Sequence, residues 1–361
     1  MKERVYNFNP GPATLPLPVL QQVQQELLNY RNSGMSIMEM SHRSKDFEAI
    51  VHETEALFKE ISGIGDDYRV LFLQGGASQQ FALVPMNFLP PEKSAAYAVT
   101  GNFAKKAYQE AARIGKPRVA VSTADDNFSR IPGLDEINLS PEDAYLHLTT
   151  NNTVYGTEWH YIPDIKGVPL VADMSSDILS RPWDYNKFDL FYAGAQKNIG
   201  PAGVVVVAVR KSLLEKVPDH LPSIFNYRLL AEKDSLYNTP PNFAIYVLKL
   251  VLEWIRDSGG LAAIGKTNKE KAGLLYEAID AHDLYTGFAQ KESRSLMNVT
   301  FRLPSEELDK QFIAEAAEKG LVGIKGYRTL GGIRASIYNA MTKKGCELLA
   351  EFMNDFAKKH G

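Results

Sequence analysis

The stretch Phe188-Asp-Leu-Phe-Tyr-Ala-Gly-Ala-Gln-Lys197-Asn-Ile-Gly-Pro-Ala-Gly203 decides the fold. An apolar run ends at a lysine, and a β-branched run, Gly203 to Val209, follows at once. A further run, Val168-Pro-Leu-Val-Ala-Asp173, ends in a carboxylate 24 residues before Lys197. Short apolar runs ended by polar residues predict buried strands of a parallel sheet, whose ligands gather beyond the carboxyl ends. Ala193, Gly194, Ala195, Gly200, Ala202 and Gly203 have little bulk, so something else must fill the space around Lys197. Either polar residue alone reads blandly: Lys197 as a solvated loop lysine, Asp173 as a turn cap. Together, on neighbouring strand ends, they can hold two sides of one aromatic cofactor. Pyridoxal phosphate (PLP) needs that pair, an amine for its Schiff base and an anion to keep its ring nitrogen protonated.

Working outward, strand candidates fall at Tyr68–Gln74, Ala95–Thr100, Arg118–Thr123, Ala144–Thr150, Leu170–Asp173, Leu190–Ala195 and Val204–Val209. Helical spacing separates them around 78–88, 102–115 and 211–217, so the expected class is α/β with a largely parallel sheet covered on both sides. Upstream, Val19, Leu20, Val23, Leu27 and Leu28 recur at helical spacing, as do Phe47, Ile50, Val51, Leu57, Phe58 and Ile61. Between them Arg31 to Ser44 has no clean period and reads as a long, functional loop. From Asn242 an amphipathic helix runs to the Gly259-Gly260 stop signal. Beyond it the pattern predicts a helix over 261–281, a strand over 296–303, a helix over 306–319, short strands within 321–338 and a last helix from about Thr342. That mixture lacks the parallel-sheet rhythm. The expected division is a large domain over 16–258 and a smaller α+β domain made of 1–15 and 259–361. The first 15 residues are expected to pack on the C-terminal domain or across the cleft.

The chain has 361 residues and a formal net charge of −3, so no global pull toward nucleic acid or membrane is expected and anion recognition must be local. Its one cysteine, Cys346, excludes intrachain disulfides and cysteine-rich zinc sites. It reads as a buried small residue in a reducing compartment. The N-terminus lacks the apolar core of a signal peptide, and no stretch approaches the ~20 apolar residues that cross a bilayer. A cytoplasmic location is expected, with no metal site.

Gln74-Gly-Gly-Ala-Ser78 joins a strand to a helix. Two glycines permit a sharp turn, Ser78 is expected to cap the helix, and its N-terminus favours an anion. On its own such a sequence is more often an ordinary turn and N-cap. Phe103 follows a strand end and could stack on a ring or join the core. Thr149-Thr-Asn-Asn-Thr153 gathers hydroxyls and amides at another strand end. Ser41-His42-Arg43-Ser44 and Lys325-Gly-Tyr327-Arg328 to Arg334 are basic loop clusters, and arginine forks suit carboxylates and phosphates.

These residues resemble a known family. Asn7-Phe-Asn-Pro-Gly-Pro-Ala, Met40-Ser-His-Arg-Ser, Leu73-Gln-Gly-Gly-Ala-Ser, Ala195-Gln-Lys-Asn-Ile-Gly-Pro-Ala-Gly, Tyr237-Asn-Thr-Pro-Pro and Gly332-Ile-Arg-Ala-Ser-Ile-Tyr-Asn-Ala match the phosphoserine aminotransferases almost end to end. The resemblance implies a fold-type I PLP-dependent transferase with a mainly parallel seven-stranded sheet. It makes Lys197 the cofactor lysine and Asp173 the partner of the ring nitrogen. Thr153 would bond the ring, Phe103 stack on it, and Ala77, Ser78 and Gln196 hold the cofactor phosphate. Asn238 and Thr239 would reach that phosphate from the other subunit of a homodimer with interfacial active sites. His42, Arg43, Tyr327, Arg328 and Arg334 would bind a small phosphorylated amino acid, Arg334 through its α-carboxylate. The implied reaction exchanges O-phospho-L-serine and 2-oxoglutarate for 3-phosphohydroxypyruvate and L-glutamate in serine biosynthesis. Activity on 4-phosphohydroxy-L-threonine in pyridoxine biosynthesis stays open. Two positions depart from the family pattern, which usually has tryptophan where this chain has Phe103 and often histidine where it has Tyr327. Rival readings are another fold-type I enzyme, such as a serine–glyoxylate aminotransferase or a cysteine desulfurase, and a PLP-binding protein without turnover.

Overall fold

A computed structural model describes residues 4–361, so the first three residues of the expected 1–15 segment lie outside the described residues. The seven strand candidates form one sheet. Its spatial order is Tyr68–Leu73, Val205–Arg210, Leu190–Gly194, Leu170–Asp173, Asp143–Thr149, Ser94–Val99 and Lys116–Ser122. Val205–Arg210 runs antiparallel to both neighbours and every other pairing is parallel. The reversal follows from chain length. Only ten residues separate it from Leu190–Gly194, too few for the crossover a parallel neighbour requires.

Side chains alternate between two apolar layers. One face carries Leu146, Leu148, Ala172, Phe191, Ala193, Val206 and Ala208 against the helices Lys45–Ser62 and Asn242–Asp257. The other carries Tyr97, Tyr145, Val171, Leu190, Tyr192, Val205 and Val207 against the helices Gly76–Phe88 and Asn102–Ala111. Burial on both faces explains why the strand sequences read as continuous apolar runs instead of alternating ones.

A third core gathers Phe301, Phe312, Leu349, Phe352 and Phe356, with Phe8 contributed from the N-terminus. It is built on the antiparallel strands Thr286–Gly287, Asn298–Arg302 and Ile333–Ser336, the helix Glu306–Glu318 and the last helix, Lys343–His360. Tyr6–Asn7 pairs in parallel with Leu321–Val322. The same N-terminal segment then crosses to the large sheet, where the Ala13 amide donates to the Gln196 carbonyl at 2.9 Å. The helix Gly260–Asp280 begins at the glycine pair and serves two cores. Leu261 and Ile264 pack with the large-sheet layer, Ala272 and Leu275 with the C-terminal one.

Phe312 is fully buried among Tyr285, Phe301, Phe352 and Phe356, with ring centroids between 4.9 and 6.1 Å. Phe312→Ala should destabilise this layer by about 3–5 kcal/mol, read by urea denaturation. A loss under about 1 kcal/mol would show that the cluster is not a packed core.

Candidate active site

Asp173 stands opposite Thr149 on one side and Tyr192 on the other, at the carboxyl ends of three adjacent strands. Lys197 lies five positions beyond Tyr192, on the turn after Leu190–Gly194, so both reach one cavity of about 430 Å³. That cavity is also lined by Pro10, Gly11, Ala77, Ser78, Phe103 and Thr153, with Gln196, Tyr327 and Arg334 completing its polar wall.

The Lys197 Nζ donates to Thr153 Oγ1 at 2.8 Å and sits 5.4 Å from the centroid of the Phe103 ring. Burial lowers the Lys197 pKa from 10.5 to about 8, against the pull of Asp173 and with the help of Arg334. At pH 7 about 10% of such an amine is neutral, against about 0.03% of an ordinary lysine. Gly11 covers its stem: a Cβ there would meet Lys197 Cγ at 3.2 Å, and its φ of +129° suits only glycine. Asp173 Oδ1 accepts from the Ser175 amide at 2.9 Å and the Ser175 hydroxyl at 2.6 Å. One carboxylate oxygen thus caps a turn, as the bland reading held, while the residue still lines the cavity. Burial raises the Asp173 pKa, opposed by the Ser175 bonds and the Lys197 charge.

The helix Gly76–Phe88 points its N-terminus at the same cavity. Its first amides lack intrahelical acceptors, and the dipole favours an anion there. Ser78 does not cap it. Gly75 is the N-cap, in the left-handed region at φ +83°, so the helix starts before Ser78 and no side chain caps it. The Ser78 hydroxyl therefore sits in the first turn, exposed along the cavity wall. Arg334 is buried at 5% exposure, its Nε finds no hydrogen-bond partner, and no carboxylate pairs with it among the described residues. Its guanidinium lies 5.9 Å from the Tyr327 ring centroid. The donor set fits a flat aromatic aldehyde bearing a phosphate: amine, carboxylate, ring face and anion cup surround one space.

Residues 5–349 match the Aminotransferase class-V family. The chain belongs to the class-V aminotransferases. It is 56% identical, over the whole of both chains, to a phosphoserine aminotransferase of Desulfatibacillum aliphaticivorans. A solved phosphoserine aminotransferase from Bacillus circulans subsp. alkalophilus superposes with a TM-score of 0.98 at 50% identity, covering 100% of each chain. A PLP-bound phosphoserine aminotransferase from Trichomonas vaginalis gives 0.92 at 37%, covering 97% of this chain and 99% of that one. The fold is that of the fold-type I PLP enzymes, and the cofactor is PLP.

This aminotransferase chain does not bring every expected residue to its own cavity. Arg43, Arg328, Asn238 and Thr239 are exposed and do not line it. Asn238 borders a separate small cavity with Gln74 and Gln79, and the Thr239 carbonyl accepts from Gln74 Nε2 at 3.3 Å. His42 is half-buried, its Nε2 without a partner. Sequence reasoning missed Ser175, Gly11 and Asn198. An aspartate followed two residues on by serine signals the Ser175 bond, and Pro-Gly-Pro signals a rigid strap. Asn198 is buried, donating to the Ser176 carbonyl at 3.1 Å and accepting from the Asn339 amide at 3.0 Å.

With the neutral Lys197 amine as the expected nucleophile, PLP uptake by cofactor-free protein should quicken as pH rises through about 8, then level off. Stopped-flow absorbance measures it; an inflection above about pH 10 would contradict the buried amine.

Proposed function

We propose that this chain catalyses the reversible transamination of O-phospho-L-serine and 2-oxoglutarate to 3-phosphohydroxypyruvate and L-glutamate. The observation that carries this reading is Arg334, a buried guanidinium without a carboxylate partner among the described residues, facing the cavity of a lysine whose pKa is lowered. A buried cation of that kind calls for an anionic ligand. The curated relatives, named for phosphoserine, supply the substrate class.

PLP, when bound, supplies the electron sink for the bond electrons left as a proton leaves the substrate Cα. Lys197 holds and returns that proton as acid and base, its amine aimed by Thr153. Asp173, its orientation fixed by Ser175, would supply the anion that pairs with the cofactor's ring nitrogen. Phe103, which lines the cavity, would stack on the cofactor ring, with less area than an indole and no N–H to offer. The Gly76–Phe88 N-terminus, with Ala77 and Ser78, takes the cofactor phosphate, joined by Gln196. Arg334 takes the α-carboxylate and Tyr327 offers a neutral hydroxyl nearby.

In this reading the exposed Asn238 and Thr239 serve the cofactor phosphate of a second subunit. His42, Arg43 and Arg328 meet the substrate phosphate, partly across that interface. The working unit is then a homodimer. A cytoplasmic setting accords with the single, fully buried Cys346, whose burial raises its thiol to about 12 and leaves it no catalytic use. The 4-phosphohydroxy-L-threonine reaction would use the same anion sites.

A coupled assay tests the assignment. Phosphoserine should be turned over at least tenfold better than serine, and parity would favour an aminotransferase for unphosphorylated substrates. Lys197→Ala should abolish both turnover and the visible band of bound cofactor. Arg334→Ala should cost about 100-fold in kcat/KM, the loss of a charge-assisted pair worth roughly 3 kcal/mol.

A further inference from the structure

Lys271, on the helix Gly260–Asp280, is fully buried and has no part in the chemistry above. No carboxylate pairs with it among the described residues. Its Nζ donates instead to the backbone carbonyls of Ile337 at 3.0 Å, Tyr338 at 2.8 Å and Met341 at 3.0 Å, with the Asn339 carbonyl at 3.5 Å. Burial lowers its pKa from 10.5 to about 8, so at pH 7 about 90% still carries three protons. Three protons meet three close acceptors. These oxygens line the turn between the strand Ile333–Ser336 and the last helix, Lys343–His360. Converging carbonyls shut away from water must each find a donor. No neutral side chain carries three donors on one atom.

The same turn reaches the cavity wall. Asn339, at its centre, donates its amide to Asn198 Oδ1 at 3.0 Å and its side chain to the Leu179 carbonyl at 3.0 Å. Asn198 follows Lys197 directly in the chain and donates to the Ser176 carbonyl at 3.1 Å. Arg334 enters the turn from the strand before it. Asn268, three positions before Lys271 and so on the same helix face, donates to Asn339 Oδ1 at 2.8 Å. One helix therefore grips the turn twice, by an ammonium under its carbonyls and by an amide on its central side chain.

We infer that Lys271 is a positioning residue, an internal cation that shapes the 337–341 turn and, through Asn339 and Asn198, holds the Lys197 turn in place beside Arg334. Removing it leaves several buried carbonyls without donors, and the turn relieves them by opening. The effect on catalysis rests on the reading of Lys197 and Arg334 given above; the effect on the turn does not.

Hydrogen exchange followed by peptide mass spectrometry tests this on the holoenzyme. Lys271→Met, which keeps the bulk and loses the donors, should exchange about tenfold or more faster over 337–341 and also over 195–200. Its kcat for phosphoserine, read well below the melting temperature, should fall about tenfold. Tyr285→Phe is the control for a merely structural loss. Its hydroxyl donates to the Met353 carbonyl at 2.7 Å in the same C-terminal layer, and its removal should leave both segments and kcat within about twofold of wild type. Lys271→Ala removes, beyond Cβ, the outline of a propylammonium ion. In the cofactor-free full chain, where an added amine meets no aldehyde, propylammonium chloride should restore protection to both segments of that variant, and propanol should not. Exchange over 195–200 unchanged in Lys271→Met, or equal protection by propanol, overturns the inference. Should Lys271→Met fail to fold, Lys271→Gln, which keeps two donors, decides it by the same exchange measurement. A wild type that does not turn over phosphoserine would count against the proposed reaction alone.

Discussion

A lysine amine and an aspartate carboxylate, both drawn out of bulk water at the ends of adjacent strands, are the constraint on which this structure depends. Desolvating either charge is costly, and each lowers the other's cost only if the strands keep their register. Asp173 stands opposite Tyr192 and Thr149. A slip of one residue would turn Asp173 to the opposite face of the sheet and bury it against Phe191 and Ala193. The apolar layers on both faces forbid that slip, since the slip would misplace every alternate side chain at once. Core packing and catalytic geometry are thus one requirement.

The seam between the large sheet and the C-terminal strands is held differently. Asn151 donates to Asn298 Oδ1 at 2.7 Å and to Ser176 Oγ at 2.9 Å, and Asn298 donates to Ser336 at 2.9 Å. Asn268 and Asn339 join at 2.8 Å, and Asn339 reaches the Leu179 carbonyl at 3.0 Å. All these side chains are buried. A buried amide network demands one geometry, because any displacement leaves desolvated partners unsatisfied. Apolar packing would tolerate sliding. The wall carrying Arg334 is therefore fixed relative to Lys197 by hydrogen bonds that cannot shift by an ångström without loss.

Most of this was legible where a local signal existed. Seven strands announced themselves as apolar runs, and Lys197 and Asp173 stood out as charges at their ends. Strand direction was harder: the reversal of Val205–Arg210 hangs on the length of its preceding turn. The cap at Ser78 was misread because serine resembles a cap, whereas two left-handed glycines move the helix start upstream of it. Arg334 was read as the end of a basic loop cluster, but it sits on a four-residue strand, too short to carry a periodic signature. Gly11 covers Lys197 from 186 positions away in the chain, a contact no local pattern encodes. Asn238, Thr239, Arg43 and Arg328 show the other limit. All four are exposed and none lines the cavity, so nothing local distinguishes them from ordinary surface.

Charge accounts for the remaining design. The chain as a whole is weakly acidic, at −3, yet the cavity gathers Lys197, Arg334 and a helix N-terminus against Asp173. A second carboxylate, Asp177, stays behind the wall, its Oδ1 accepting from the Thr150 hydroxyl at 2.5 Å and its pKa raised by burial. The field inside is therefore positive where the outside is slightly negative. An interior of that sign suits ligands that bring a phosphate and a carboxylate together, while the lysine pKa is lowered chiefly by burial, helped by Arg334 and opposed by Asp173. Burial is thus the main origin of amine nucleophilicity, and Arg334, whose guanidinium has no internal counter-ion among the described residues, adds to it while offering the cavity an anion site.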